Sequence, residues 1–192
     1  MKKIAIFGVG ALGSNLAMAM RSLKDLEISL IDKDVVERKN VSIQAFDTRD
    51  VLKKKATTLA NKIKMFYDIG NTRYFPLAIE YCESNANMVI SYDLIIDTLD
   101  NMESRSLLWN QCKKYNRESI HGALSADGYG LVVWQDNFKV GEKTGKIDTC
   151  TNEEATPMIS MTVSALFQAV SLWLLEGEKV NFSVSKYSIR RV

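Results

Sequence analysis

The sequence predicts an α/β domain of Rossmann-like type, a mostly parallel sheet with helices on both faces, formed as a single domain over residues 1–192. Three observations carry that expectation. Short apolar runs stop abruptly at glycine or aspartate, as buried parallel strands do where the chain turns at their carboxyl ends. Between them lie longer stretches of helical periodicity, the strand–helix rhythm that builds a parallel sheet. A glycine-rich turn, Gly8-Val9-Gly10-Ala11-Leu12-Gly13, joins the first run to the first periodic stretch.

Taken in order, Ile4-Ala5-Ile6-Phe7 predicts the first strand and residues 12–23 the first helix, with Leu12, Leu16, Ala19, Met20 and Leu23 on one face. Glu27–Ile31 predicts the second strand, closed by Asp32. Strand, helix and strand within about 30 residues form a right-handed unit that gathers ligands at the strand carboxyl ends. An irregular stretch at 33–48 precedes a helix over 50–66, with Val51, Leu52, Ala56, Leu59, Ala60 and Ile63 inward and the lysines outward. Arg73–Ala78 reads as a strand interrupted by Pro76. A fourth strand over 93–96 ends on Asp97, and a helix over 102–115 follows. Strands are expected near 118–122 and 130–134, then a long mobile connection over 135–155 and a helix over about 158–175. One closing strand is expected within Val180–Ile189.

With 46% hydrophobic residues the chain can bury a full core. A net charge of +2 sets up no demand for nucleic acid or an anionic membrane, and neither is expected as a partner. The three cysteines, Cys82, Cys112 and Cys150, lie far apart with no Cys-x-x-Cys pair. That points to a reducing, cytoplasmic compartment and away from disulfides or a zinc knuckle. The amino terminus passes from Lys2-Lys3 straight into a strand, without the pattern of a secretory signal. Between Glu154 and Glu176 no residue is charged, a stretch long enough for a bilayer span. Its load of Thr156, Ser160, Thr162, Ser164, Gln168 and Ser171 fits a buried helix better.

The glycine loop has a chemical reading. Gly8 permits the tight turn, Gly10 lets the backbone approach phosphate, and Gly13 lets helix and strand pack closely. Phosphate then rests on free backbone N–H groups at the positive end of the helix dipole. Asp32, about 20 residues on, can accept hydrogen bonds from a ribose. This set binds a nucleotide without separating NAD from ATP, so an NAD-dependent oxidoreductase stays open at this point.

Further residues narrow the choice: Asp32-Lys33-Asp34-Val35-Val36-Glu37, Lys39-Asn40, Ile43-Gln44 and Asp50-Val51-Leu52-Lys53-Lys54-Lys55. Beyond them come Asp100-Asn101-Met102-Glu103-Ser104-Arg105, Asn110, Cys112, Gly128, Gly130, and Cys150 ahead of Pro157. Over nearly the whole chain this pattern resembles the adenylating enzymes of the ThiF, MoeB and ubiquitin-activating group. The resemblance implies ATP with Mg²⁺, adenylation of the C-terminal glycine of a sulfur-carrier or ubiquitin-like protein, and a homodimer. It assigns the nucleotide to Gly8, Gly10, Gly13, Asp32, Asp34, Asn40, Gln44, Lys55 and Asn101. It assigns the chemistry to Lys55, Asp100, Arg105 and Cys150, with Asp100 on the metal and Cys150 as acceptor thiol.

Each side chain also has a plainer reading. Lys55 can be a solvated helix face, Asp100 or Asp97 a helix cap, Asn40 and Gln44 loop hydrogen-bonders. Arg105 can sit on a helix surface, Cys150 can be a small apolar filler, and His121 reads as structural. The chain also departs from the family pattern. Ile43 stands where the family has an arginine on the phosphates, with Arg38 and Arg49 nearby, and Leu52 stands where it has a glycine. No cysteine pairs are present to hold a structural zinc, and no N-terminal helix precedes the first strand to send an arginine into a partner's site. These departures define a second reading, a degenerate non-catalytic scaffold that binds nucleotide or a ubiquitin-like protein.

Overall fold

A computed structural model describes residues 1–67, 71–125, 128–138, 155–186 and 188–192. The apolar run behind the glycine loop forms β1 (Lys2–Phe7), paired in parallel with β2 (Leu26–Ile31) on one side and β4 (Leu94–Asp97) on the other. β3 (Arg73–Leu77) extends the sheet beyond β2, and β5 (Glu118–Leu124) beyond β4, both in parallel. β6 (Gly130–Trp134), β7 (Phe182–Ser185) and β8 (Ser188–Arg191) then add as antiparallel strands, giving the order β3-β2-β1-β4-β5-β6-β7-β8. The order reverses between β1 and β4, so a crevice opens at their carboxyl ends, where open α/β sheets take ligands.

Alternation along the strands divides the core. Ile4, Ile6, Ile28, Leu30 and Ile96 face α1 (Ala11–Met20), α2 (Lys55–Tyr67) and α4 (Ala155–Glu176). Ala5, Phe7, Ile31 and Ile95 face α3 (Met102–Lys114) and the 3₁₀ helix Glu83–Ser91. Helices therefore cover both faces, as the strand–helix rhythm predicts. α4 is long and apolar enough to cross a membrane, yet Leu166, Ala169 and Val170 are fully buried against the sheet. Burial within the domain accounts for its apolar character.

Several expectations are corrected. The second helix starts at Lys55 rather than at residue 50: Thr48–Asp50 is a 3₁₀ turn, and Leu52 adopts φ 71° and is 81% exposed. Its lysines do not all face outward, since Lys55 is buried. Pro76 does not interrupt β3, because the strand lies at the edge of the sheet, where a missing N–H costs no ladder bond. The single closing strand is a hairpin, β7 and β8, in which Ser185 pairs with Ser188. The expected mobile connection over 135–155 begins as a 3₁₀ turn, Gln135–Asn137, and 139–154 lies outside the described residues.

Candidate active site

The glycine loop is built as its spacing demands. Gly8 has φ 89°, and a Cβ on it would lie 2.7 Å from the Thr98 carbonyl oxygen. A Cβ on Gly13 would fall 1.9 Å from the Gly8 carbonyl oxygen, so helix and loop touch backbone to backbone. Gly10 differs: nothing lies within 4 Å of the position its Cβ would take. That open space sits at the amino end of α1, which has no side-chain cap and no acid in its first turn. Uncapped N–H groups and the helix dipole there suit an anion. Thr98 locks the loop to the neighbouring strand end, its Oγ1 donating to the carbonyls of Gly8 (2.7 Å) and Phe7 (3.0 Å).

Asp32, just past β2, lies beside this loop. Its Oδ2 accepts from the Val9 N–H (2.6 Å) and its Oδ1 from the Asp34 N–H (2.8 Å). Burial pushes its carboxyl above the usual range, against the two N–H donors and the nearby Lys55 charge. Each oxygen keeps a lone pair for a ribose hydroxyl.

Lys55 reaches the same place through a clamp on the chain after β2. Val36 N–H donates to Lys53 O, Leu52 N–H to Val36 O (2.8 Å each), and Lys55 N–H to Asp34 O (3.0 Å). The first residue of α2 is thereby drawn against the end of β2. Its side chain is only 9% exposed, and its ammonium lies 3.4 Å from Asp34 Oδ2. The solvated-face reading of Lys55 fails, because a lysine on a free face would not be buried beside a carboxylate. Lys62 fixes the turn before α2 by donating to Asp50 (2.6 Å) and Asp47 (3.1 Å).

The remaining residues separate. Asn40 is buried, and its Oδ1 accepts from the Glu37 N–H (2.8 Å) within the 3₁₀ helix Arg38–Ser42. Gln44 lines a cavity of about 420 Å³ between α1 and the first turns of α4, with Asn15, Met18 and Ile159. No residue of the glycine loop lines that cavity, nor do Asp32, Lys55 or Asp100. Arg49 pairs with Asp47, Nε to Oδ1 at 3.1 Å, whereas Arg38 is exposed and makes no ion pair among the described residues. Cys150 lies outside the described residues. Cys112 is buried in α3, its thiol pushed up to about 12 by burial.

A profile of the ThiF family matches residues 1–189. The chain belongs to the ThiF family. Among its relatives, "Probable molybdopterin-synthase adenylyltransferase" of Pyropia yezoensis is 26% identical over 187 residues, covering 92% of this chain and 49% of that protein. The "SAMP-activating enzyme E1" of Haloferax volcanii is 24% identical over 190 residues, covering 93% and 70%. The fold matches that of E. coli MccB crystallised with ATP, with a TM-score of 0.78 and 14% identity over 100% of this chain and 63% of the other. The chain thus spans about half the length of the first of these relatives.

On this ThiF fold, β4 ends at Asp97, so Asp100 lies in the loop beyond the strand. Asn101, not Asp100, caps α3, accepting from the Ser104 N–H (2.8 Å). Asp100 is exposed, and its carboxylate has no ion pair or hydrogen bond among the described residues. Nor do three His, Cys, Asp or Glu side chains gather among them to cage a metal. One free carboxylate on the loop after β4 fits Mg²⁺, which is commonly held by one or two carboxylates together with substrate phosphates. Arg105 is not a surface residue. It forms an ion pair with Asp97 (Nε to Oδ2, 2.9 Å) and donates through Nη2 to the carbonyls of Leu99 (2.6 Å) and Gly122 (3.1 Å).

Sequence reading gave His121 no functional role, and the structure puts it at the heart of this cluster. Asp97 and His121 are directly paired in the β4–β5 ladder, and His121 Nδ1 lies 2.8 Å from Asp97 Oδ2. Asp97 is fully buried. Burial alone would raise its carboxyl, but the Arg105 charge and the His121 hydrogen bond outweigh it and hold it below the usual range. The available signal was an acid ending one strand and a histidine within the next, positions that a parallel register sets side by side.

Proposed function

We propose that this chain uses ATP with Mg²⁺ to adenylate the C-terminal glycine carboxylate of a sulfur-carrier or ubiquitin-like protein. The observation that carries the reading is the buried Lys55 ammonium beside the end of β2, within a ThiF-family chain whose Gly10 leaves the amino end of α1 open to a ligand. Asp32 and Asp34 would face the ribose side of the nucleotide. The uncapped N–H groups of α1 would hold phosphate, and Lys55 would offset charge as it builds on the phosphates. An oxygen of the glycine carboxylate attacks the α-phosphorus, the bond to the β-phosphate oxygen breaks, and pyrophosphate leaves with the electron pair. When bound, Mg²⁺ would neutralise phosphate charge, held by Asp100. Asn101 and Arg105 would shape the loop around it, and Asn40 would brace the segment after β2 through its bond to the Glu37 N–H, whereas Gln44 lines the separate cavity against α1.

The names of the relatives support the substrate class: one is a SAMP-activating enzyme, and another, 27% identical, is the "Adenylyltransferase and sulfurtransferase MOCS3" of Drosophila sechellia. A homodimer and a cytoplasmic location belong to the same proposal. Carrier-dependent exchange of labelled pyrophosphate into ATP is the expected result. Cys150→Ser should preserve that exchange while abolishing any covalent carrier adduct, and loss of both would remove Cys150 as a simple acceptor. A scaffold is the second reading, favoured by Ile43 and by Arg49 being tied to Asp47. Nucleotide binding without carrier-dependent exchange would select it.

A further inference from the structure

We infer that His121 is a positioning residue: through Asp97 it fixes the Leu99 peptide, and with it the loop that carries Asp100. Leu99 is gripped through both of its flanking peptide groups. Its N–H donates to Asp97 Oδ1 at 2.9 Å, and its C=O accepts from Arg105 Nη2 at 2.6 Å. Asp97 can hold that geometry only if its own carboxylate is held. The other oxygen, Oδ2, meets Arg105 Nε at 2.9 Å and His121 Nδ1 at 2.8 Å.

The imidazole is in turn fixed on two further sides. Its Nε2 lies 3.3 Å from Ser119 Oγ, which donates to Gln135 Oε1 at 2.9 Å. Phe138 stacks flat on the ring, with centroids 3.7 Å apart and planes within 5°. Asp97, Ser119 and His121 are all buried, so no water replaces a lost partner cheaply.

The grip bears on the site because the loop has no slack. Thr98 and Leu99 pack on the glycine loop so closely that a Cβ on Gly8 would lie 3.1 Å from Leu99 N. A shift of the Leu99 peptide therefore carries Asp100 with it, while the glycine loop stays held by Thr98, whose hydroxyl donates to the Gly8 and Phe7 carbonyls independently of Asp97. A buried ion pair is poor evidence of stability, and fixing one arrangement of a site is a better-attested use of such groups.

The role assigned to Asp100 rests on the nucleotide reading above, so the test has two arms. In the first, backbone amide exchange is followed by NMR without nucleotide. His121→Phe keeps the ring stack and removes both nitrogens. It should speed exchange at Leu99 about tenfold relative to the amides of β1 and β2, because local opening and global unfolding expose different amides. His121→Asn, which returns an N–H donor near the Nδ1 position, should restore slow exchange. Should His121→Phe fail to fold, Ser119→Ala loosens the ring from its far side and should act in the same direction. Unchanged relative exchange at Leu99 in the folded variant overturns the inference, as does uniform acceleration of all amides.

In the second arm, ATP affinity is measured by calorimetry with Mg²⁺ and again with a chelator. His121→Phe should weaken Mg·ATP about tenfold and leave metal-free ATP unchanged. Equal loss in both conditions, or none, overturns the link to Asp100. Failure of the unaltered protein to bind ATP overturns the nucleotide reading itself, while the exchange arm still decides the role of His121.

Discussion

At the scale of single residues, the three glycines of the loop do different work, and that difference can be measured. Gly13→Ala drives a Cβ into the Gly8 carbonyl, so it should destabilise the fold by about 3 kcal/mol, the upper end of ordinary overpacking costs. Gly10→Ala meets no protein atom within 4 Å. It should melt within about 2 °C of the parent, since it creates no contact to strain. Its new methyl occupies the approach to the α1 N-terminus, so ATP affinity should fall about tenfold, or about 1.4 kcal/mol. If both variants lose only stability, the loop is a structural turn and not a phosphate cradle. Lys55 is distinguished in the same way. Lys55→Met keeps the packed stem and removes the charge, and should weaken ATP binding about 10- to 100-fold while thermal stability holds. The stability is expected to survive because Asp34, its ion-pair partner, is 55% exposed and rehydrates when the lysine charge is gone.

At the scale of elements, the turn into α2 carries a cost that the sequence hints at. Leu52 sits at φ 71°, a conformation that costs an L-residue about 1–2 kcal/mol, and its exposed side chain returns little packing. It is also the position where the family pattern has glycine, and the backbone supplies the reason. Leu52→Gly should stabilise the protein by about 0.5–1 kcal/mol after the extra entropy of the unfolded glycine is subtracted, raising Tm by about 1–4 °C. A fall in Tm would mean that Leu52 is not strained. The same turn shows where sequence reading stops. Val51, Leu52, Ala56 and Leu59 have helical spacing, yet periodicity carries no information about a backbone hydrogen bond from Leu52 N–H to Val36 O, 16 residues away. β1, α1 and β2 were legible because their apolar pattern and glycine punctuation are local. The β7–β8 hairpin was read as one strand because its alternation gave no sign of a turn between Ser185 and Ser188. For the site, Gly8, Gly13 and Asp32 were picked out by spacing, and Lys55 by the family resemblance. His121 was not, since its partner Asp97 lies on another strand; Arg105 was named by the family resemblance, but its ion pair with Asp97 and its bond to the Leu99 carbonyl were not legible. Asn40 and Gln44 were assigned by the resemblance alone, which is silent on whether a side-chain amide faces a ligand or, as for Asn40, its own backbone.

For the whole molecule, the position of the crevice gives a prediction that needs no carrier protein. A ligand at the reversal between β1 and β4 touches the glycine loop, the end of β2 and the loop after β4 together. Those segments lead into α1, α2 and α3, which pack on opposite faces of the sheet. Opening any one face therefore dismantles the site, and a bound nucleotide should stabilise the domain as a unit. Mass action gives about 2.7 kcal/mol at a ligand concentration of 100 Kd. For a domain of this size, 1 kcal/mol shifts Tm by about 2–4 °C, so saturating ATP should raise the midpoint by about 5–11 °C. NAD offers the same ribose and phosphate groups to Asp32 and the loop, so it is the necessary comparison. On the proposed roles of the Lys55 ammonium and the Asp100 carboxylate, ATP with Mg²⁺ should give the larger shift at equal concentration. The Lys55→Met variant should narrow the gap between the two. A larger shift with NAD, unaffected by Lys55→Met, would return the loop to the dinucleotide chemistry that its glycines alone permit.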